Sequence, residues 1–162
     1  MKTMMSLVAI LLLCSCVYEV TLVEQAVIPV DPALTGIWQE TTEEGTAEDP
    51  DDRMVLLPFS KTEYVAILSP GHDALYFRAY PICVEGLELL QLEWIQANPD
   101  GHERYLVCRY AVQDGVLTVE TLNDDVISDD IKDSAALREA LLANRDNPDL
   151  FDSPDRYRKL ED

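Results

Sequence analysis

The sequence is poor in the residue types on which most catalytic and phosphate-binding motifs depend. Its 162 residues include only six glycines and two histidines. The sequence contains no glycine-rich phosphate loop, no Gly-x-Ser-x-Gly turn for a nucleophilic serine and no His-Glu-x-x-His metal motif. Catalytic groups can also assemble from distant positions, so missing motifs weigh less than present ones. We therefore expect a binding protein and not an enzyme.

Basic residues are also scarce. Twelve Lys and Arg residues face 31 Asp and Glu residues, which gives a formal net charge of −19. A surface this acidic repels the phosphates of nucleic acids and anionic lipid headgroups, so we expect direct binding to neither. The charge favours solubility, cations or a basic protein partner. An acidic module that binds a basic envelope or exogenous protein is therefore one of the functions left open.

The N-terminus is apolar, but its apolar segment is too short to cross a bilayer as a helix. Met1 and Lys2 supply a positive start, and residues 7–13 (LVAILLL) supply the apolar part. A spanning helix needs about 20 apolar residues, whereas a short apolar segment after a positive start is typical of a signal peptide. We expect residues 1–15 to be such a signal.

The end of this segment, Leu13-Cys14-Ser15-Cys16, resembles the lipobox of bacterial lipoproteins. The lipobox has a leucine three residues before its cysteine and a small residue directly before it, and Cys16 fits both positions. The resemblance implies cleavage between Ser15 and Cys16, and fatty acylation of Cys16 through a diacylglycerol thioether and commonly an N-acyl chain. Two or three acyl chains anchor a protein stably, because each buried methylene contributes about 0.8 kcal/mol.

The resemblance also implies a location in the bacterial cell envelope. An aspartate directly after the lipidated cysteine commonly retains such proteins in the inner membrane, and here that residue is Val17. The resemblance therefore favours the outer membrane, with the protein facing the periplasm. We expect residues 16–32 to form a lipidated N-terminus and a tether, which in a fully extended form would let the domain stand clear of the membrane.

The next part of the chain, residues 33–122, has the pattern of an all-β domain. Short runs rich in apolar and β-branched residues are separated by turn signals such as Asp114-Gly115. About seven strands at a spacing of 8–12 residues predict an antiparallel meander, closed as a barrel or left as a half-barrel. The runs after the first strand are residues 54–59, 63–68, 74–83, 87–96, 104–112 and 116–122.

The remaining residues, 123–162, predict an acidic loop, a C-terminal α-helix and a tail. Asp133 and Ser134 can cap a helix that runs to about Asn144, which ends before Asn147-Pro148. Apolar residues at 150–151 and 157–160 interrupt the charged tail. We expect this tail to dock on the sheet or to cover one end of the barrel.

Gly36-Ile37-Trp38 resembles the Gly-x-Trp opening of lipocalin-type barrels, although the family's second signature, a Thr-Asp-Tyr-type turn, is absent. The mature chain also resembles uncharacterised bacterial lipoproteins with lipocalin-like barrels. The resemblance implies a barrel that binds a small apolar ligand. The aromatic residues could line such a cavity, or they could fill the core completely. The candidates for the lining are Trp38, Tyr64, Tyr76, Phe77 and Trp94.

Two cysteines lie on separate predicted strands. Cys83 and Cys108 would enclose a loop of about 26 residues, and a disulfide there could stabilise the fold by about 3–4 kcal/mol. An oxidising compartment permits such a bond. Two free thiols that pack as small apolar residues are the alternative.

The possible metal ligands do not form a recognised motif. His72 and His102 each lie in a turn beside an acid, where they could bind Zn²⁺ together. Residues 123–133 (NDDVISDDIKD) could supply oxygen ligands for Ca²⁺, but they lack the spacing and central glycine of an EF-hand. We therefore predict no metal site and no cofactor.

Overall fold

The computed structural model describes residues 17–42, 44–47, 49, 52–69, 74–95, 101 and 104–160. Eight antiparallel strands form a closed barrel in which each strand pairs with the next and the last pairs with the first. The strands are β1 (Gly36–Thr41), β2 (Arg53–Pro58), β3 (Tyr64–Ser69), β4 (Leu75–Val84), β5 (Leu87–Trp94), β6 (Tyr105–Gln113), β7 (Val116–Thr121) and β8 (Asp155–Lys159). A 3-10 turn at Pro32–Leu34 precedes β1, and helix α1 (Ser134–Ala143) lies between β7 and β8.

The prediction of a mainly β, antiparallel meander with a C-terminal helix is confirmed, and the sheet closes as a full barrel. The predicted runs agree with β2–β7 to within two residues at each end. Asp114 and Gly115 adopt φ values of 51° and 75°, as a two-residue hairpin turn requires. Short turns of this kind join β4 to β5 and β6 to β7, and so fix the order of these strands.

Strand β8 corrects the expectation of a docking tail. Residues 155–159 pair with β7 on one side and with β1 on the other. Tyr157 lies opposite Leu117 of β7 and Glu40 of β1. The β-domain therefore does not end at residue 122, because the barrel needs the C-terminal strand to close. The sequence DRYRK has one apolar residue, so its strand pattern is weak.

The barrel wall separates two apolar clusters, one inside it and one outside it. The inner cluster includes Trp38, Tyr64 and Phe77. The outer cluster lies against β4, β5 and β6, where Tyr80, Ile82 and Val84 face outward from the barrel and are still buried. A sheet region that is apolar on both faces must be covered on both faces. The cover on the outside comes from the N-terminal residues, the segment around residues 122–131 and α1.

The first described residues, 17–23, are docked on the barrel. Tyr18 is fully buried, and its backbone N–H and C=O each bond to Tyr105 at 2.8 Å. Its hydroxyl donates to the carbonyl of Ile127 at 2.9 Å. The alternating apolar side chains Tyr18, Val20 and Leu22 cover the outer cluster. The expectation of a tether over residues 16–32 is therefore corrected for residues 18–23, because these side chains form part of the outer cluster.

A buried glutamine secures the same segment. Gln91 of β5 is fully buried on the outer face. Its Oε1 accepts a hydrogen bond from the backbone N–H of Leu22 at 2.8 Å, and its Nε2 donates to the carbonyl of Val23 at 3.0 Å. The hydroxyl of Tyr80 also donates to Val23 at 3.1 Å. Because a buried amide without partners is costly, these bonds make the position of the N-terminal residues specific.

Helix α1 is capped as the sequence predicts. The Asp133 side chain accepts a hydrogen bond from the backbone N–H of Ala136 at 2.8 Å. Leu137 and Leu141, one turn apart, are fully buried in the outer cluster. Across the part of the chain that the structure describes, no helix is long and apolar enough to cross a membrane.

Candidate functional site

The barrel contains a cavity of about 750 Å³. This volume lies within the range of small-molecule binding sites, about 300–1,000 Å³. The apolar part of its wall comes from side chains that point inward from five strands, with one leucine from the turn before β1. These residues are Leu34, Met54, Leu56, Ala66, Leu68, Leu90, Leu92, Leu106, Cys108, Leu117 and Val119.

The 3-10 turn closes one end of the cavity. Leu34 lies at this end, and its carbonyl accepts a hydrogen bond from Nε1 of Trp38 at 2.9 Å. The hydroxyl of Tyr64 donates to the carbonyl of Asp31 at 3.0 Å and accepts from the backbone N–H of the same residue. The Lys159 ammonium lies 5.4 Å from the centre of the Trp38 ring. These contacts fix the turn across the end of the barrel.

The Tyr64 hydroxyl makes stability depend on pH in the alkaline range. Its burial raises its pKa from 10.0 to about 12. Because the folded protein holds this proton more tightly than the unfolded chain, the contribution is full below pH 10 and is lost as pH rises towards 12. We expect the Tyr64→Phe variant to lack this part of the fall in the free energy of unfolding at alkaline pH. Urea unfolding of both proteins at several pH values measures it, and parallel stability curves from about pH 9 to 12 would contradict it.

The other end of the cavity is an acidic mouth. It lies where β1 ends, β2 begins and the connection from β7 to β8 passes. Six carboxylates and one guanidinium line this part of the cavity. The charged residues are Glu40, Asp52, Asp124, Asp125, Asp152, Asp155 and Arg53. The cavity therefore has an apolar body and a strongly negative opening, a combination that no sequence motif indicated.

Two tyrosines bring hydroxyl groups to the cavity wall. Tyr110 and Tyr157 both line it. Burial raises the pKa of both hydroxyls, and nearby carboxylates, Glu40 and Asp155 foremost, raise that of Tyr157 further. Both therefore stay protonated at neutral pH.

The aromatic residues that we predicted as ligand lining lie elsewhere. Trp38, Tyr64 and Phe77 are buried in the inner cluster, and Trp94 is half-buried with its ring centre 5.9 Å from that of Phe77. None of them borders the cavity. Tyr76 is 40% exposed and points out of the barrel, so the assignment of Tyr76 to the cavity lining is wrong. Adjacent residues of a strand face opposite sides, so Tyr76 and Phe77 cannot both point inward.

The disulfide alternative is wrong. Cys83 is an exposed thiol and Cys108 a buried one. Cys83 pairs with Glu88 of β5, whereas Cys108 pairs with Leu90 across the opposite edge of that strand. Strand β5 therefore separates the two cysteines by two inter-strand spacings, about 9.5 Å. A disulfide needs Cα atoms within about 7 Å.

The possible metal ligands give no assembled site. His72 and His102 lie outside the described residues. Among the residues that are described, no three histidine, cysteine or acidic side chains converge to hold an ion. In the loop 123–133, the Asn123 side chain accepts a hydrogen bond from the backbone N–H of Asp125 at 2.9 Å, and Ser128 accepts one from that of Asp130. These side chains thus support the turns of the loop.

A second depression, of about 930 Å³, lies outside the barrel between the N-terminal segment and α1. Charged side chains, among them Glu24 and Glu139, form part of its lining. Arg138 spans it and donates to the carbonyl of Leu22 at 2.8 Å. This groove is where two docked elements meet on the surface, whereas the barrel cavity is surrounded by strands. The barrel cavity is therefore the better candidate for a binding site.

Comparisons with protein-family models, with curated proteins and with solved structures found no match to this chain.

Proposed function

We propose that the protein is a lipid-anchored lipoprotein of the bacterial cell envelope that binds a small apolar ligand inside its barrel. The single observation that carries the ligand proposal is the cavity of about 750 Å³. Its body is lined by aliphatic side chains, its floor is closed by the turn at Pro32–Leu34, and its mouth opens at the other end. A ligand of matching size would bury its apolar surface in this space.

The choice of side chains in the wall supports binding over a purely structural role. Protein interiors are normally packed to the density of organic crystals, and unfilled volume reduces stability. Ala66 borders the cavity at a position where a larger side chain would reduce the space. A barrel under selection for stability alone would fill this space, and a barrel that binds a ligand would keep it.

The proposed anchor is the lipidated Cys16, on the N-terminal side of the docked segment. Since Tyr18 is already bound to the barrel, only Val17 separates it from the acylated residue. In this proposal the barrel lies close to the membrane surface. A ligand could then pass between the bilayer and the cavity over a short distance.

The test of ligand binding is a titration with the neutral apolar dye N-phenyl-1-naphthylamine. The protein would be the mature chain with Cys16→Ser, secreted without its lipid. We expect saturable fluorescence enhancement with one site per chain, little changed from about 0.05 to 0.5 M salt. An increase without saturation would contradict the proposal. Salt-sensitive binding of a basic protein without any binding of the dye would favour the acidic interaction module instead.

The test of the anchor is incorporation of a labelled fatty acid in a bacterial host. We expect Cys16→Ala to abolish the label, and Cys14→Ala to retain it, because Cys14 would leave with the signal peptide. Equal labelling of the two variants would contradict the assignment of Cys16.

A further inference from the structure

The cavity wall is divided into an apolar region and an anionic region. Leu34, Leu56 and Ala66 belong to the apolar region around the closed floor. The acidic mouth brings six carboxylates and one guanidinium to the same cavity, a formal excess of five negative charges. A ligand that occupies the cavity must therefore place one of its ends in a strongly negative environment.

The negative charge of the mouth includes one carboxylate on β1 and one on β8. Glu40 lies two residues after the inward-facing Trp38, and strand alternation places it on the same face. Across the sheet its register partner is Tyr157. Asp155 lies two residues before Tyr157 on the same face of β8. The backbone carbonyl of Asp52 accepts from the N–H of Glu40 at 3.2 Å, which brings the start of β2 to the same place.

Tyr157 lies at the centre of this group. The carboxylates of Glu40, Asp155 and Asp52 all act electrostatically on its hydroxyl. Tyr157 is partly buried and lines the cavity. Organic ammonium groups bind where an aromatic ring, a hydrogen-bond acceptor and carboxylates lie close together.

We infer that the ligand is a cationic amphiphile, with its apolar part in the body of the cavity and its ammonium group at Tyr157, Glu40, Asp52 and Asp155. The inference rests on the proposed function, because it specifies which ligand the cavity takes. An anionic amphiphile such as a fatty acid would meet like charge at this mouth. A neutral one would gain the apolar contacts but no attraction from the net negative charge of the mouth.

The test compares three ligands with the same alkyl chain, namely dodecylamine, dodecanol and dodecanoate. Each would displace N-phenyl-1-naphthylamine from the mature Cys16→Ser protein below its aggregation concentration. We expect dodecylamine to bind at least about tenfold more tightly than dodecanol, and about a hundredfold more tightly than dodecanoate. Higher salt should reduce the differences in affinity among the three ligands.

Paired variants locate the cation. In Glu40→Gln/Asp155→Asn, the affinity for dodecylamine should fall about tenfold while that for dodecanol stays within about twofold. The control Glu85→Gln/Asp146→Asn makes the same change in net charge at two exposed positions outside the cavity. It should bind dodecylamine as the parent protein does. An equal loss in both double variants would overturn the assignment to Glu40 and Asp155.

Failure of this inference is distinguishable from failure of the proposed function. If the dye and all three alkyl compounds bind but dodecylamine has no advantage, the cationic ligand is wrong and the cavity proposal stands. If dodecanoate binds most tightly, the inference is likewise overturned. If neither the dye nor any alkyl compound binds to the folded protein, the proposed function itself fails.

Discussion

Replacing Ala66 with tryptophan is expected to weaken binding of N-phenyl-1-naphthylamine by at least about tenfold while the barrel stays folded. Ala66 is 1% exposed, faces inward from β3 and borders the cavity. An indole ring at this position would occupy space that the ligand needs. Large residues usually destabilise a core because the core is already full, by about 1–3 kcal/mol, but here the cavity can take the ring.

The matched control is Ala111→Trp. Ala111 is exposed on β6 and lies outside the cavity. This variant adds the same aromatic group to the surface, so it should bind the dye as the parent protein does. Circular dichroism would verify that both variants remain β-structured. Normal binding by a folded Ala66→Trp protein would show that the dye does not enter the barrel.

Arg156→Pro is expected to give the largest loss of stability, about 3 kcal/mol in the free energy of unfolding. Arg156 lies within β8 and pairs with Thr41 on one side and Thr118 on the other. Proline has no N–H and is excluded from the interior of a sheet. Because β8 closes the barrel, the proline disrupts the pairing of β8 with both β1 and β7.

Arg156→Ala is the control for the side chain. The Arg156 side chain is exposed, so its removal should change the free energy of unfolding by no more than about 0.5 kcal/mol. Urea unfolding followed by tryptophan fluorescence measures both variants. If Arg156→Pro were as stable as Arg156→Ala, β8 would not be part of the closed sheet.

The sequence contains local signals for most of the barrel. Strands β2–β7 are continuous apolar or alternating runs, and Asp114-Gly115 supplies a two-residue hairpin turn. Helix α1 follows a capping aspartate and carries two leucines one turn apart. These features are predictable because each depends on residues that are close together in the chain.

The closing strand and the docked N-terminus depend on distant residues, and this is why sequence patterns missed them. Strand β8 is mostly charged, and it is a strand because β1 and β7 each leave an edge to be paired. The N-terminal segment is held by Gln91, about 70 residues away. The sequence pattern predicts that Gln91 is an ordinary outward-facing polar residue of an alternating strand. No residue nearby in the chain indicates which segment covers it.

The residues that line the cavity were assigned wrongly for a related reason. Aromatic residues were the obvious candidates for the lining, but Trp38 and Tyr64 hold the turn that closes the floor, and leucines such as Leu90 and Leu92 form the wall. Alternation identified the inward face of β5 but not the depth at which each side chain lies. That depth is set by the tilt and register of eight strands together.

Native mass spectrometry of the mature Cys16→Ser protein, secreted to and purified from a bacterial periplasm, tests the central claim most directly. The account predicts that the folded chain carries or takes up one small amphiphile, such as added dodecylamine, and loses it on denaturation. It also predicts that Ala66→Trp binds much less. A bare polypeptide mass for the parent protein, both as purified and after dodecylamine is added, would contradict the proposal that the barrel is a binding site.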